Sequence, residues 1–431
     1  MRRREFAALA GAGVAALAAS HASAEMKQSG LRAGRARVDI TPEAGCWLSG
    51  WASRTKPADG MEDPLYARAL VLESGDIKVA LLATDLIGVP GDVVARVRGR
   101  VRESCGIAPD CLMITATHTH FGPAVREYEF DGGGNPDYVR KLEVALAECV
   151  ERASTGTQPA RLGADSGSLP EQIYNRRPLD SDGKAVMTWR LPPNSSGLIF
   201  GPVDPEVGVV RVEDLDSNLL GSVVNYACHP VAGGSYDPWF YHISADYPGI
   251  SSGIVESGEG GVCLFTLGTS GNINPRERGR LCRGRVGRAL GGESLRVLQR
   301  IETSEKAALA ATSRQVTLSL KREHDKDANH RPPPGQSAIT VEVQGIRLGD
   351  CILIGLPGEV LVELGLEIKR RSGVDKLFVV SLANDTIGYI CHRESYEEGG
   401  YEPGRGSQLA PGTGELVVAT ALEVAGELQG A

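Results

Sequence analysis

The stretch Met113-Ile-Thr-Ala-Thr-His-Thr-His-Phe-Gly-Pro123 carries an apolar run into two histidines spaced two residues apart and then into a turn. Side chains alternate faces along an extended strand, so His118 and His120 point the same way, about 6 to 7 Å apart along the backbone. Imidazole is the commonest protein ligand for zinc, and a catalytic zinc keeps about three protein ligands and one open position. The pair suits one metal, or one ligand and its helper; it equally suits two polar side chains bonded to backbone at a strand end. Four other apolar runs end in polar residues: His229 in Ala227-Cys-His-Pro230, Asn272 and Asn274 in Gly271-Asn-Ile-Asn-Pro275, Glu359 in Pro357-Gly-Glu359, and Tyr389 in Gly388-Tyr-Ile390. Strand ends are where α/β proteins assemble their sites. No Gly-x-Ser-x-Gly elbow, phosphate loop or His-Glu-x-x-His occurs, so serine-hydrolase and nucleotide chemistry have little to rest on.

The elements that must position these residues follow from periodicity. Strands are expected at Arg37–Pro42, Ala67–Glu73, Lys78–Asp85, Val207–Glu213, Leu220–Ala227, Val262–Leu267, Ile339–Ile346 and Lys376–Leu382, with helices at Val93–Cys105, Pro136–Ser154, Ile250–Glu256, Val360–Arg371 and Gly414–Gln429. Asp246 heads a turn where it can serve as a cap. A loop carries Tyr174-Asn-Arg-Arg-Pro178, and arginines in such loops often meet a carboxylate or an oxyanion. The arginines from Arg276 to Arg288 read as a solvated helix face that could also greet an anionic headgroup. The charged, Pro-rich stretch 321–337 reads as an exposed excursion or lid. No internal repeat is evident. Alternating strands and helices imply an α/β fold, or mixed α+β, built as one catalytic domain over 25–431.

Hydrophobic residues at 42% and charged residues at 23% describe an ordinary globular chain of 431 residues. Residues 1–24 differ. Arg2-Arg3-Arg4-Glu5-Phe6 leads into an Ala/Gly/Val/Leu run ending at Ala22-Ser23-Ala24, the pattern of an export signal of the twin-arginine type. This implies a periplasmic or secreted protein. Losing three arginines and one glutamate with that segment takes the formal charge from −8 to −10, a poor balance for binding nucleic acid. No stretch of the mature chain is apolar over the ~18 residues of a membrane span. Nine cysteines contain no Cys-x-x-Cys; Cys105 and Cys111 are near enough in sequence to pair in an oxidising compartment.

In order along the chain, Thr117-His-Thr-His-Phe-Gly-Pro123, Cys228-His-Pro230, Pro357-Gly-Glu359 and Gly388-Tyr-Ile390 with Glu394-Ser-Tyr396 behind resemble the neutral/alkaline (non-lysosomal) ceramidases, zinc-dependent amidases. The resemblance covers most of the mature chain to about residue 405. It implies that His118, His229, Glu359 and Tyr389 bind one zinc, that His120 stands behind them as a hydrogen-bond partner or proton carrier, and that Arg176 orients substrate or stabilises an oxyanion. The implied substrate is an N-acyl sphingosine or another small-molecule or lipid-like amide, cleaved by a zinc-activated water. Two departures stand out. The family's Gly-Asp-Val-Ser-Pro is here Gly271-Asn-Ile-Asn-Pro275, so its active-site serine becomes Asn274 and its aspartate Asn272. An amide is no hydroxyl nucleophile, but it can donate a hydrogen bond to an oxyanion. The family's C-terminal immunoglobulin-like domain has no counterpart after Glu415. The readings that compete with an amidase are a metallohydrolase for a sugar- or cell-wall-linked amide or ester, and a metal- or ligand-binding homologue without catalysis. If His120 carries protons, His120→Ala keeps the metal and loses turnover.

Overall fold

The computed structural model describes residues 30–125, 134–235, 239–321 and 335–430. The expected export segment and the core of the 321–337 excursion therefore lie outside the described residues.

One order of elements occurs three times. The first unit is β1 (Arg32–Asp39), β2 (Tyr66–Ser74), β3 (Ile77–Thr84), α1 (Gly91–Cys105), β4 (Leu112–Ala116) and α2 (Pro136–Thr155). The second is β5 (Gln158–Ser168), β6 (Glu206–Asp214), β7 (Leu219–Tyr226), α3 (Asp246–Glu259), β8 (Val262–Leu267) and α4 (Arg280–Leu298). The third is β9 (Leu309–Ser319), β10 (Ala338–Leu348), β11 (Cys351–Gly355), α5 (Val362–Ser372) and β12 (Lys376–Val380), followed by the short α6 (Arg393–Glu398) and the closing α7 (Thr413–Gln429). In each unit three strands meander antiparallel, a helix crosses over, and the fourth strand lies parallel to the third: β3 with β4, β7 with β8, β11 with β12. The first two units join through a short antiparallel contact of β1 with β5 at Arg32↔Pro159, making an eight-stranded sheet in the order β8-β7-β6-β5-β1-β2-β3-β4. The third unit forms its own sheet, β9-β10-β11-β12.

Burial follows this plan. Leu70, Leu72, Leu81, Val210 and Val223 of the large sheet meet Ile346, Leu353, Phe378 and Val380 of the small one, so the inner faces of both sheets share a core. Each outer face is covered by its own helix pair: α1 and α2 over the first unit, α3 and α4 over the second, α5 and α7 over the third. Where both faces of a sheet are covered, as at β3, β4, β7, β8, β11 and β12, the strands read as near-continuous apolar runs rather than alternating ones. Helix α2 shows how sequence sets a boundary. The Asn135 side chain accepts from the Asp137 and Tyr138 amides, Pro136 takes the first turn, and Leu142, Leu146, Cys149, Val150 and Ala153 form the buried face.

Several expectations need correction. The chain has a repeat, hidden because the first strands of the second and third units went unrecognised. Gln158–Ser168 contains Pro159, Gly163 and Gly167, and Gly163 is required where a Cβ would stand 2.1 Å from the Glu302 carbonyl oxygen. Leu309–Ser319 is a hairpin strand of largely polar residues. The histidine pair is not on the strand: β4 ends at Ala116, and His118 lies beyond it in the left-handed region, at φ 67°. Asp246 does not cap α3 from outside but is its first residue, its Oδ2 accepting from the Gly233 amide at 2.9 Å. All nine cysteines are free, so Cys105 and Cys111 are unpaired.

Candidate metal centre

The carboxyl ends of the three parallel strand pairs converge, and each unit delivers part of one cluster. From the loop after β4 come His118 and His120, from the end of β7 comes His229, and beyond β11 and β12 come Glu359 and Tyr389, whose short strands pair in parallel. The three imidazoles face one another through Nε2, at 3.1 Å for His118 to His229, 3.2 Å for His118 to His120 and 3.1 Å for His120 to His229. Glu359 Oε2 lies 3.2 Å from His118 Nε2 and 3.6 Å from His229 Nε2.

The other ring nitrogens explain why the rings are held so. His118 Nδ1 meets the Ile87 carbonyl at 2.7 Å, His120 Nδ1 the Gly50 carbonyl at 2.9 Å, and His229 Nδ1 the Ser270 carbonyl at 3.1 Å. A carbonyl only accepts, so each Nδ1 carries the hydrogen. Burial pushes the His120 and His229 imidazoles well below their usual pKa, which keeps both neutral and leaves their Nε2 lone pairs aimed at each other. Two lone pairs at that separation repel unless a cation stands between them. Nitrogens about 2.0–2.1 Å from a tetrahedral zinc stand about 3.3 Å apart, close to the edges of this triangle. Glu359 is partly buried, and its Oε2, shielded from solvent, has no hydrogen-bond donor among the described residues. Burial alone would raise its carboxyl, but His118, the Tyr389 hydroxyl and Arg176 outweigh it and hold the group below its usual value, ionised. Three imidazoles and a carboxylate are a donor set for a divalent cation, and the residues present fit one.

The expected ligands His118, His229 and Glu359 thus come together, with the Tyr389 hydroxyl beside Glu359. His120, expected behind the ligands, has its Nε2 as near to the other two imidazoles as they are to each other. It is held there by Gly50, at φ 96°, where a Cβ would stand 2.5 Å from His120 Nδ1, and by Arg54, which donates to the His120 carbonyl at 2.7 Å.

Arg176 is buried against the cluster. Its Nη2 donates to the Tyr389 hydroxyl at 3.0 Å, its Nη1 to Asn274 Oδ1 at 3.3 Å, and its Nε to Glu402 Oε1 at 2.8 Å. Glu402, fully buried, turns its second oxygen to Arg177 at 3.0 Å. Glu402 was missed because it lies in a Gly- and Pro-rich turn with no periodic pattern, and neighbouring Tyr401, packed 5.6 Å from the Tyr389 ring, was missed with it. Asn272 is structural: its Nδ2 donates to both Glu363 oxygens and its Oδ1 accepts from the Val362 amide. Asp85 is structural too, accepting from Arg68 and the Tyr66 amide. Arg276 donates to the Ile173 carbonyl, Arg283 and Arg285 form ion pairs with Asp63 and Glu277, and the Arg278 guanidinium lies 5.9 Å from the ring of Trp51, which packs on His120.

Comparison with known proteins places the chain in a family. Residues 31–287 match the profile described as neutral/alkaline non-lysosomal ceramidase, N-terminal. The chain belongs to that family. It is 24% identical over 275 residues to neutral ceramidase A of Dictyostelium discoideum and 27% identical over 273 residues to the neutral ceramidase of Mycobacterium tuberculosis. Those matches take in 59% and 58% of this chain but 37% and 41% of the relatives, so the chain spans about two-fifths of the length of the curated relatives it matches. The fold is that of the crystal structure of neutral ceramidase from Pseudomonas aeruginosa, with a TM-score of 0.75 at 20% identity over 93% of this chain and 75% of that one. A structure of ceramidase complexed with C2 aligns equally well, covering 76% of its chain. The expected α/β class therefore holds, in this family's form.

Proposed function

We propose that the protein is a zinc-dependent amidohydrolase that cleaves the amide of an N-acyl sphingosine or a related N-acyl compound. The observation that carries the reading is the convergence of three Nε2 atoms and the Glu359 carboxylate on one point, with every Nδ1 tied to a backbone carbonyl. Family membership supports amide hydrolysis, and the relatives' name, neutral ceramidase, supports the substrate class.

His118, His229 and Glu359, with Tyr389, are the proposed zinc ligands. Bound there, zinc supplies Lewis acidity, lowering the pKa of water and polarising the amide carbonyl. His120, its Nδ1 tied to the Gly50 carbonyl, presents Nε2 to the site, where it would relay a proton to the departing nitrogen, which must be protonated to leave. Arg176 fixes the Tyr389 hydroxyl and, through Asn274 Oδ1, the orientation of the Asn274 amide. Since Arg176 only donates, Oδ1 must face it, and Nδ2 is left pointing away as a donor for the carbonyl oxygen as it gains charge. Trp189, 46% exposed and packed over Arg176 at 5.1 Å, offers an apolar surface beside the site suited to an acyl chain.

The test is metal content of the purified mature protein beside His118→Ala and Glu359→Ala, with release of fatty acid from a short-chain ceramide on the same samples. One zinc per chain, lost in both variants together with fatty-acid release, is the expected result; well-folded wild type without metal overturns it. The equal spacing of the imidazoles favours a second reading in which His120 is itself a ligand. His120→Ala separates the two, because retained zinc with lost turnover assigns the proton role and lost zinc assigns ligation.

No helix among the described residues is long and apolar enough to cross a membrane. The twin-arginine pattern at Arg3-Arg4 supports a proposal of export to the periplasm or outside the cell, tested by fractionation of cells carrying Arg3→Lys with Arg4→Lys; unchanged export would remove that support.

A further inference from the structure

Three buried hydrogen-bond donors near the site have no acceptor within hydrogen-bond distance among the described residues: Asn274 Nδ2, Trp51 Nε1 and Arg278 Nε. The Trp51 ring packs edge-on to the His120 imidazole at 5.5 Å, and the Arg278 guanidinium lies 5.9 Å from the Trp51 ring. Trp51 thus touches both His120 and Arg278, which follows the short strand Ile273–Pro275 that carries Asn274. Arg278 forms no hydrogen bond or ion pair with any described residue. Its electrostatic surroundings are cationic or weakly acidic groups: Arg176, Arg190, the Tyr174 hydroxyl and the Cys228 thiol. Burial, and then Arg176, push its guanidinium down to about 10, which shows a cation held where charge is disfavoured. Elsewhere around the site each arginine is matched: Arg176 and Arg177 by Glu402, and Arg54 by three backbone carbonyls.

Among polar groups of ordinary substrates, a hydroxyl accepts a hydrogen bond from an arginine but leaves its charge unmatched. A carboxylate does both, and the planar guanidinium is shaped to receive it. We propose that the substrate is an N-acylated amine carrying a carboxylate next to the scissile amide, an N-acyl amino acid, with Arg278 and the Trp51 Nε1–H as the carboxylate's donors. This deepens the amidohydrolase reading and rests on it for the position of the amide. The reaction is a simple hydrolysis. Water's oxygen bonds to the acyl carbon, the C–N bond breaks, the nitrogen gains a proton, and a fatty acid and an amino acid leave. Asn274 Nδ2, the third donor, remains for the amide oxygen.

The experiment compares kcat/KM of the zinc-loaded protein for N-octanoylglycine and N-octanoylethanolamine, which share the acyl chain and amide and differ in carboxylate against hydroxyl. Binding of the non-hydrolysable N-(octylsulfonyl)glycine and N-(octylsulfonyl)ethanolamine is measured by calorimetry on the same protein. The wild type is expected to favour the glycine compound about tenfold or more in both measurements, the scale of a charged hydrogen-bonded pair. Arg278→Gln is expected to bring both ratios near one, and Arg278→Lys to keep part of them. Thermal melts of the variants show that they fold. Equal kcat/KM and equal affinity in the wild type, or a preference that survives Arg278→Gln, overturns the proposal. Hydrolysis of both amides at equal rates would sink the anion site and leave the amidohydrolase standing. Preferential binding of the acid without hydrolysis of either amide would do the reverse.

Discussion

The two sides of the metal centre treat their polar groups in opposite ways. On one, Glu402 divides its oxygens between Arg176 and Arg177, and Asn272 places its amide between Glu363 and the Val362 backbone, so these donors meet acceptors inside the protein. On the other, Trp51 Nε1, Asn274 Nδ2 and Arg278 Nε meet none. Leaving a buried donor unmade costs about 1–3 kcal/mol. The matched side holds the fold in register; the unmatched side has its complement in what binds. Truncation should expose that difference, because removing a matched group strands its partners while removing an unmatched one strands nothing.

Glu402→Ala is the sharpest way to test the first half of this contrast. It leaves the buried Arg176 guanidinium without a carboxylate partner and Arg177 with Glu398 alone, and should lower unfolding free energy by about 3–5 kcal/mol in denaturant titration; a loss under about 1 kcal/mol would mean that the pair is solvated. Gly50→Ala comes next. It forces a side chain into a position at φ 96° and against the His120 ring, so it should cost about 1–3 kcal/mol and lower zinc content as well. Asn272→Asp restores the family's residue type yet sets a second carboxylate against Glu363. We expect a loss of about 1–3 kcal/mol at pH 7. Two carboxylates sharing a site raise a folded-state pKa above its unfolded value, so this deficit should fade as pH falls through that raised value and be complete above it. A deficit independent of pH would point to a steric cause. Arg278→Gln closes the series, with stability changed by no more than about 0.5 kcal/mol while acid recognition is lost. A large loss of stability there would place Arg278 on the matched side and erase the contrast.

The contrast also shows what a chain reveals before it is folded. His118, His229, Glu359 and Tyr389 were legible because each follows a buried apolar run, and a run that stops at a polar residue marks a strand end. Glu402 was not, since its role arises from Arg176 and Arg177 more than 220 residues away in sequence. Asn274 was legible as a departure from a pattern, but its orientation needed the Arg176 contact. The repeat was concealed by Gln158–Ser168 and Leu309–Ser319, strands whose glycines and polar residues answer to Glu302 and to hairpin partners rather than to alternation. The bend at His118 was equally hidden, because a positive φ in a residue other than glycine is imposed by surroundings, here the Ile87 and Leu86 carbonyls that hold its ring and amide.

The threefold order of elements would give a metal bound at this centre a role beyond chemistry. No single unit holds enough ligands to retain an ion; His118 and His229 alone are separated by 111 positions in the chain. An ion bound among them closes very long loops, and its binding free energy is available only after all three units have docked. The ion then acts as a clasp on a finished assembly rather than as a seed for it, and chelation should loosen the junction of the units before it melts any one of them. A cell that moves the protein across a membrane already folded would deliver it with the clasp shut.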